Sequence, residues 1–174
     1  ASQANEILKD SYNLGFLGLT EPVAELELEK RLIEKIKIFM LELGKGFAYI
    51  GNQFRIEYNG KEYFVDLLFS NRKLNCLVAI DLKIGEFKSE YVGKMNMYLS
   101  LLDKLEKEET ENQSIGIILC AEKDHLDVEL ALQDINKPIA VSDYELLVPK
   151  NELQTLILNE MKLVQITDND EAEK

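Results

Sequence analysis

Hydrophobic and polar positions follow two different periods along this chain, and the changes between them predict its elements. Over residues 25–43, apolar side chains recur every three or four positions, which predicts an amphipathic helix ended by Gly44. Over residues 47–58 and 61–70, the pattern predicts two strands. The dipeptide between them, Asn59-Gly60, is typical of a type I′ turn, so we expect a hairpin.

The rest of the pattern predicts a third strand and then alternating helices and strands. The third strand covers residues 74–83, later strands cover residues 115–120 and 138–141, and helices cover residues 88–107, 126–135 and 151–163. Hairpin strands pair antiparallel, whereas strands joined through a helix pair in parallel. The predicted fold class is therefore α/β, with a mixed central β-sheet flanked by helices as an α/β/α sandwich.

The chain length of 174 residues is typical of one domain with a substantial core. Residues 1–20 contain a short helical stretch and an apolar patch, and we expect them to dock on the domain as an N-terminal arm. Residues 21–164 form the predicted domain. Residues 165–174 form an acidic tail that we expect to be disordered.

Composition narrows the class of protein. A hydrophobic content of 46% predicts a packed fold and excludes a disordered chain. The sequence has no run of about 18 apolar residues, so no membrane span is expected, and its first residues do not resemble a secretory signal. Cys76 and Cys120 lie inside predicted strands without metal-ligand spacing, which is typical of core thiols in the cytoplasm.

The charge and the histidine count limit the chemistry. A net charge of −12 argues against a large nucleic-acid surface on this chain, because phosphate contacts need clustered Lys and Arg. A nuclease with this charge would depend on another domain or subunit for part of its affinity for DNA. The single histidine, His125, excludes a histidine-rich metal site, and no Ser-His-Asp arrangement is present.

Two predicted strands each carry an acid among apolar neighbours. Asp66 lies in one and Asp81 in the next, and Lys83 projects from the same face as Asp81. Because an unpaired buried carboxylate is costly, such acids are paired or bind a cation. Two interpretations remain open from spacing alone. Asp66 and Lys83 could form a cross-strand salt bridge, or both acids could hold a hard divalent cation for phosphodiester cleavage.

The wider sequence resembles the C-terminal domain of the YhcG-type family, within the PD-(D/E)XK nuclease superfamily. The similarity runs over residues 12–161 and is carried by the segments FMLELGKGFAYIGNQF, FVDLLFSNRKLNCLVAIDLKIGEFKSEYVGKMNMYL, SIGIILCAEKD and ALQDINKPIAVSDY. The resemblance implies a restriction-endonuclease-like fold and a Mg²⁺- or Mn²⁺-dependent DNA endonuclease, serving recombination, repair or defence against foreign DNA. It also implies an N-terminal helical domain as a partner in the full-length protein, which fits the absence of an initiator Met.

The resemblance also assigns roles to residues of the central strands. Asp66 would be the first metal-binding acid, and Asp81 the second, where glutamate is more usual in the family. The carbonyl of Leu82 would be a third metal ligand. Lys83 would orient or activate the attacking water.

Two further residues receive secondary roles from the same resemblance. Glu42 would supply the acid that the first helix of the superfamily often contributes, and Gln53 falls in a stretch where a glutamine recurs. The alternative interpretation of both residues is that they are ordinary polar surface residues without a role in the site.

Two other functions remain open at this point. The domain could be a catalytically inactive nuclease-fold scaffold that mediates oligomerisation, for example as a homodimer, or a DNA-binding module that does not cleave. The acidic surface favours the scaffold, whereas the placement of Asp66, Asp81 and Lys83 favours the nuclease.

Overall fold

A computed structural model describes residues 7–148, 158–159 and 161–163. Its centre is a six-stranded sheet in the order β1-β6-β5-β4-β3-β2. The strands are β1 (Ser11–Asn13), β2 (Phe47–Tyr58), β3 (Lys61–Asn71), β4 (Cys76–Leu82), β5 (Ile115–Cys120) and β6 (Ile139–Glu145). The helices are α1 (Glu25–Glu34), α2 (Ile36–Leu43), α3 (Glu90–Leu105) and α4 (His125–Leu132), with a 3-10 turn at Gly15–Leu17.

The sheet is mixed, as the sequence predicts. Strands β2, β3 and β4 pair antiparallel, whereas β4, β5, β6 and β1 pair in parallel. A separate apolar core covers each face: α1, α2 and the N-terminal segment pack on one side, and α3 and α4 on the other. The predicted α/β class and the helix–sheet–helix layering are therefore confirmed.

The hairpin formed by β2 and β3 carries residues of the predicted site. Asn59 and Gly60 both have positive φ, at 53° and 72°, as a type I′ turn requires. The pairing register shifts between Tyr49 and Gly51, so a β-bulge interrupts β2. Shortly after this bulge, Gln53 adopts a φ of 45°, an uncommon conformation for a residue with a side chain.

The N-terminal segment is more than a docked arm. Ser11–Asn13 forms the edge strand β1, which pairs in parallel with β6. Tyr12 and Leu14 are 1% and 0% exposed, so this segment completes the core. A strand of three residues is too short to show an alternating pattern, which is why the sequence did not reveal it.

The predicted helix over residues 25–43 is two helices. Lys35 separates α1 from α2 with φ −115° and ψ 37°, and its ammonium donates to the carbonyl of Phe16 at 3.2 Å. One apolar stripe continues through both helices, so periodicity alone hides the break. The predicted helix over residues 151–163 lies mostly outside the described residues, and the acidic tail at residues 165–174 lies wholly outside them.

Helix α3 lies very close to the sheet. A Cβ atom on Gly116 of β5 would come within 2.6 Å of the Met95 side chain, so only glycine permits this approach. The first turn of α3 carries Tyr91, whose ring lies beside the Lys83 ammonium just after β4.

Candidate active site

The site is built where β3 and β4 part. Their pairing ends at Leu67 and Ile80, one residue short of the two predicted acids. At this point the Asp66 side chain continues the interaction, since its Oδ2 accepts a hydrogen bond from the backbone N–H of Leu82 at 2.9 Å. The carboxylate thus takes the place of a backbone acceptor that β3 no longer supplies.

Asp81 is the most electrostatically perturbed carboxyl group of this region. Its residue is 2% exposed, and its Oδ2 has no hydrogen-bond partner among the described residues. Burial, with the adjacent Asp66 acting in the same direction, raises the pKa of Asp81 to about 7, against the opposing charges of Lys83 and Lys94. Two adjacent ionised carboxylates repel each other, so a proton or a cation at this position would favour the pair.

Lys83 is held beside Asp81 with its side chain only 15% exposed. Its Nζ lies 3.7 Å from Asp81 Oδ2 and 3.8 Å from Glu25 Oε1. The salt-bridge interpretation of the sequence required Asp66 as the partner, but Lys83 forms its ion pairs with these two other acids. The backbone of Lys83 is also fixed, because the hydroxyl of Tyr144 donates to its carbonyl at 2.7 Å.

Gln53 connects the acid pair to helix α1. Its Nε2 donates to Asp66 Oδ1 at 3.2 Å and to Glu29 Oε2 at 2.7 Å. Glu29 is only 5% exposed, and burial raises its pKa, with the charge of Asp66 adding to the effect. Gln53 is the residue with the positive φ in β2, and its side-chain amide donates to one acid on α1 and one on β3.

The network continues away from the acids along β2. Asn52 Nδ2 donates to Glu29 Oε1 at 3.4 Å, and the Tyr49 hydroxyl donates to Asn52 Oδ1 at 2.7 Å. Both oxygens of Glu29 are thus occupied by amide donors. Glu29 acts as an anchor that fixes the amide of Gln53 rather than as a freely available carboxylate.

Sequence reasoning missed Glu29, although the sequence carries a signal for it. Counting back one turn along the apolar stripe from Leu32 and Ile33 arrives at position 29, where an acid replaces the expected apolar residue. An acid on the buried face of a helix needs partners, as the buried acids of the strands do.

The structure does not bring Glu42 to this cluster. Its Oε1 accepts from the backbone N–H of Asn13 at 2.8 Å and lies 3.4 Å from Lys9 Nζ. Glu42 therefore fastens the N-terminal segment to the end of α2. Helix α1 does send acids to the site, because Glu29 accepts from Gln53 and Glu25 approaches Lys83.

The arrangement has the donor set that a hard cation requires. Asp66 and Asp81 supply carboxylates, and Oδ2 of Asp81 is buried without a hydrogen-bond partner. The N–H of Leu82 points toward Asp66, and since both polar groups of a strand residue point to the same side, its carbonyl borders the acids too. Among the described residues, no cluster of three or more His, Cys, Asp or Glu side chains is arranged for a metal, so backbone oxygen and water would complete the shell.

Comparison with known proteins assigns the sequence to a family. The family model described as the YhcG PDDEXK nuclease domain matches residues 5–161. The chain is 38% identical over 144 residues to the Escherichia coli (strain K12) protein named "Putative nuclease YhcG". That alignment covers 83% of this chain but only 38% of the relative, so the chain spans well under half of the relative's length.

Two solved structures match this chain at low sequence identity. A structure titled "Structure of EndoMS-dsDNA2 complex" has a TM-score of 0.53 and 15% identity, covering 75% of this chain and 48% of that one. A repair endonuclease from Pyrococcus abyssi has a TM-score of 0.48 and 16% identity, covering 72% of this chain and 48% of that one. The likeness to the EndoMS structure supports the restriction-endonuclease-like fold. No described helix has the length and apolar character needed to span a bilayer.

Proposed function

The chain belongs to the YhcG PDDEXK nuclease domain family, and from this we propose that it hydrolyses phosphodiester bonds of DNA with the help of Mg²⁺ or Mn²⁺. Asp66, Asp81 and the Leu82 carbonyl would hold the cation. The observation that carries the proposal is the buried Asp81 Oδ2, which has no hydrogen-bond partner among the described residues and lies 3.7 Å from the Lys83 ammonium. A divalent cation would balance the two carboxylates there.

Each residue of the cluster has a definable task in this reaction. A bound cation supplies Lewis acidity toward the phosphate and lowers the pKa of a water ligand. Lys83 donates to the attacking water or to the phosphoryl oxygens, where negative charge develops. Asp66 is kept in its orientation by two donors, the Leu82 N–H and the Gln53 amide.

We assign the supporting role to Glu29 and Gln53. Glu29 fixes the Gln53 amide, and Gln53 in turn fixes Asp66, so that both act through a metal ligand. Glu42 is left out of this set because its carboxylate is engaged by Asn13 and Lys9.

We propose DNA as the substrate because family membership names a nuclease and a structural neighbour of the same fold is titled as a complex with double-stranded DNA. Because the net charge is −12, we expect another domain or subunit to supply much of the affinity for DNA. The chain spans 38% of its relative, which leaves room for an N-terminal helical domain. Homodimer formation, a cytoplasmic location and a role in recombination, repair or defence are parts of the same proposal.

Cleavage assays test this directly. The protein is incubated with supercoiled, linear, branched and single-stranded DNA in the presence of Mg²⁺, Mn²⁺, Ca²⁺ or EDTA. We expect cleavage with Mg²⁺ or Mn²⁺ that is abolished by Asp81→Asn and Lys83→Met and retained by Glu42→Gln. Cleavage that survives both site substitutions would contradict the mechanism. Absence of both cleavage and Mg²⁺ binding in the folded protein would favour the scaffold function, and DNA binding without cleavage would favour the binding module.

A further inference from the structure

The Lys83 ammonium is enclosed by more than the acid pair. Its Nζ lies 4.6 Å from the centroid of the Tyr91 ring, within the range of a cation–π contact. Glu25 approaches the same ammonium, with Oε1 at 3.8 Å. Lys83 therefore lies between an aromatic face from α3 and carboxylates from β4 and α1.

The Tyr91 ring is itself held in place. Tyr91 lies in the first turn of α3, where its N–H donates to the carbonyl of Lys88 at 3.0 Å. Its ring packs edge-on against Phe87, with centroids 6.4 Å apart. Because the ring is fixed through both its backbone and its neighbour, it can restrict the Lys83 side chain, which otherwise has four rotatable bonds.

Glu25 differs from the other acids that face Lys83. Its side chain is 46% exposed, whereas that of Asp81 is 3% exposed. Glu25 and Glu29 are four residues apart on α1, so one helix face sends both toward the site. Glu29 is buried against Gln53, but the exposed Glu25 can leave Lys83 at little cost, because ion pairs of this exposure contribute little.

Resting on the proposed function, we propose that Tyr91 is a positioning residue for Lys83 in DNA cleavage and that Glu25 is an exchangeable partner of the Lys83 ammonium, present until substrate binds. The Tyr91 ring contacts Lys83 with and without substrate and keeps its ammonium beside Asp81. The Glu25 carboxylate occupies the place that an anionic phosphate of the substrate takes over. The two residues therefore affect different kinetic constants.

The ring is tested by paired substitutions. Tyr91→Leu is expected to lower kcat roughly tenfold with little change in KM, because only the placement of the ammonium is lost. Tyr91→Phe keeps the aromatic face and is expected to stay within about twofold of the wild type. Tyr58→Leu is the matched control, since the Tyr58 ring lies 5.1 Å from Lys104 Nζ in a comparable contact on the β2–β3 hairpin. An unchanged kcat in Tyr91→Leu, or an equal loss in Tyr91→Phe, would overturn the proposal.

The exchangeable carboxylate is tested in the same assay. Glu25→Gln is expected to lower KM for DNA about threefold and to leave kcat nearly unchanged, since it removes a competitor for Lys83. Glu27→Gln removes the same charge from the same helix, but Glu27 pairs with Arg31 at 2.9 Å, so it controls for general charge effects. A fall in kcat in Glu25→Gln, or an equal fall in KM in Glu27→Gln, would overturn the role given to Glu25.

A measurement without DNA separates this inference from the proposed function. In protein labelled with ¹³C-lysine, the ring current of Tyr91 is expected to shift the Lys83 ε-methylene signal upfield, and Lys83→Met identifies that signal by its loss. The shift should persist in Tyr91→Phe and disappear in Tyr91→Leu. An unshifted Lys83 signal refutes the enclosure even if DNA is cleaved. A shifted signal in a protein that cleaves no DNA refutes the proposed function instead.

Discussion

Asp66 accepts a hydrogen bond from the Leu82 amide at 2.9 Å, although the pairing of their strands has already ended. This bond makes the orientation of the carboxylate depend on the backbone of β4, the strand that also carries Asp81. Two acids from different strands are thereby kept in one arrangement by the sheet itself. Positioning of this kind limits the reorganisation needed when a cation or substrate binds.

We expect Asp81→Asn to stabilise the fold at alkaline pH in EDTA. The pKa of Asp81 in the fold is about 7, above its unfolded value, so the folded state binds the proton more tightly. Wild-type stability should therefore fall as the pH rises from about 4 to about 7 and stay low above that range. At pH 8, urea unfolding should show Asp81→Asn to be more stable by about 1–3 kcal/mol, with the advantage vanishing near pH 4.

The exposed Asp134 provides the control for that series. Asp134→Asn removes the same charge without a buried partner and should unfold like the wild type at both pH values. If Asp81→Asn were less stable than the wild type at pH 8, the ion pair with Lys83 would outweigh burial, contrary to this account.

Divalent cations should stabilise the protein against heat through the same two acids. At pH 8, we expect millimolar Mg²⁺ or Mn²⁺ to raise Tm by about 2–4 °C, because binding only to the folded state adds to its stability. Asp66→Asn and Asp81→Asn should each abolish this shift, and lowering the pH below 7 should weaken it, because protons compete for the carboxylates. Glu42→Gln should retain the full shift in differential scanning fluorimetry. A loss equal to that of Asp81→Asn would contradict the placement of Glu42 outside the site.

Gln53→Ala should weaken metal binding without removing a ligand. The amide of Gln53 orients Asp66, and loss of such a supporting bond typically reduces metal affinity or activity about tenfold. Calorimetric titration with Mn²⁺ and cleavage assays should show parallel losses. Gln133→Ala, at an exposed position after α4, should change neither. Full Mn²⁺ affinity in Gln53→Ala would show that Asp66 needs no support from β2.

The N-terminal segment should contribute strongly to stability. Leu14 is 0% exposed within the core beneath α1 and α2, so Leu14→Ala should destabilise the fold by about 2–5 kcal/mol in urea unfolding. Leu26→Ala, at a leucine that is 72% exposed, should stay within about 0.5 kcal/mol of the wild type. Equal effects from both substitutions would mean that residues 11–19 pack only loosely.

Much of the fold follows from local sequence signals. The type I′ dipeptide predicts the hairpin, and the interval of helical periodicity after β4 predicts the parallel pairing of β4 and β5. The acids Asp66 and Asp81 could be identified because each interrupts an apolar strand, and the antiparallel register of β3 and β4 brings them together. Their roles as metal ligands stay a prediction.

Other features depend on tertiary contacts that no local pattern encodes. The break at Lys35 accompanies a bond to Phe16, which lies in another segment of the chain. Glu42 and Glu29 both belong to the predicted first helix, and periodicity places Glu29 on the apolar stripe without naming the side chain that it meets. The structure supplies that partner, because the Gln53 amide of β2 donates to Glu29.

The parallel pairing of β1 with β6 joins the first and the last described strands of the chain, because Ser11 lies opposite Asp143. On the ribosome, β1 emerges first but can find its neighbour only after nearly all of the domain has been synthesised. Addition of β1 to the edge of the sheet is therefore a late, long-range step. Any domain attached before β1 would have to leave that strand unengaged for most of translation, which makes this junction the natural place for misassembly between neighbouring chains.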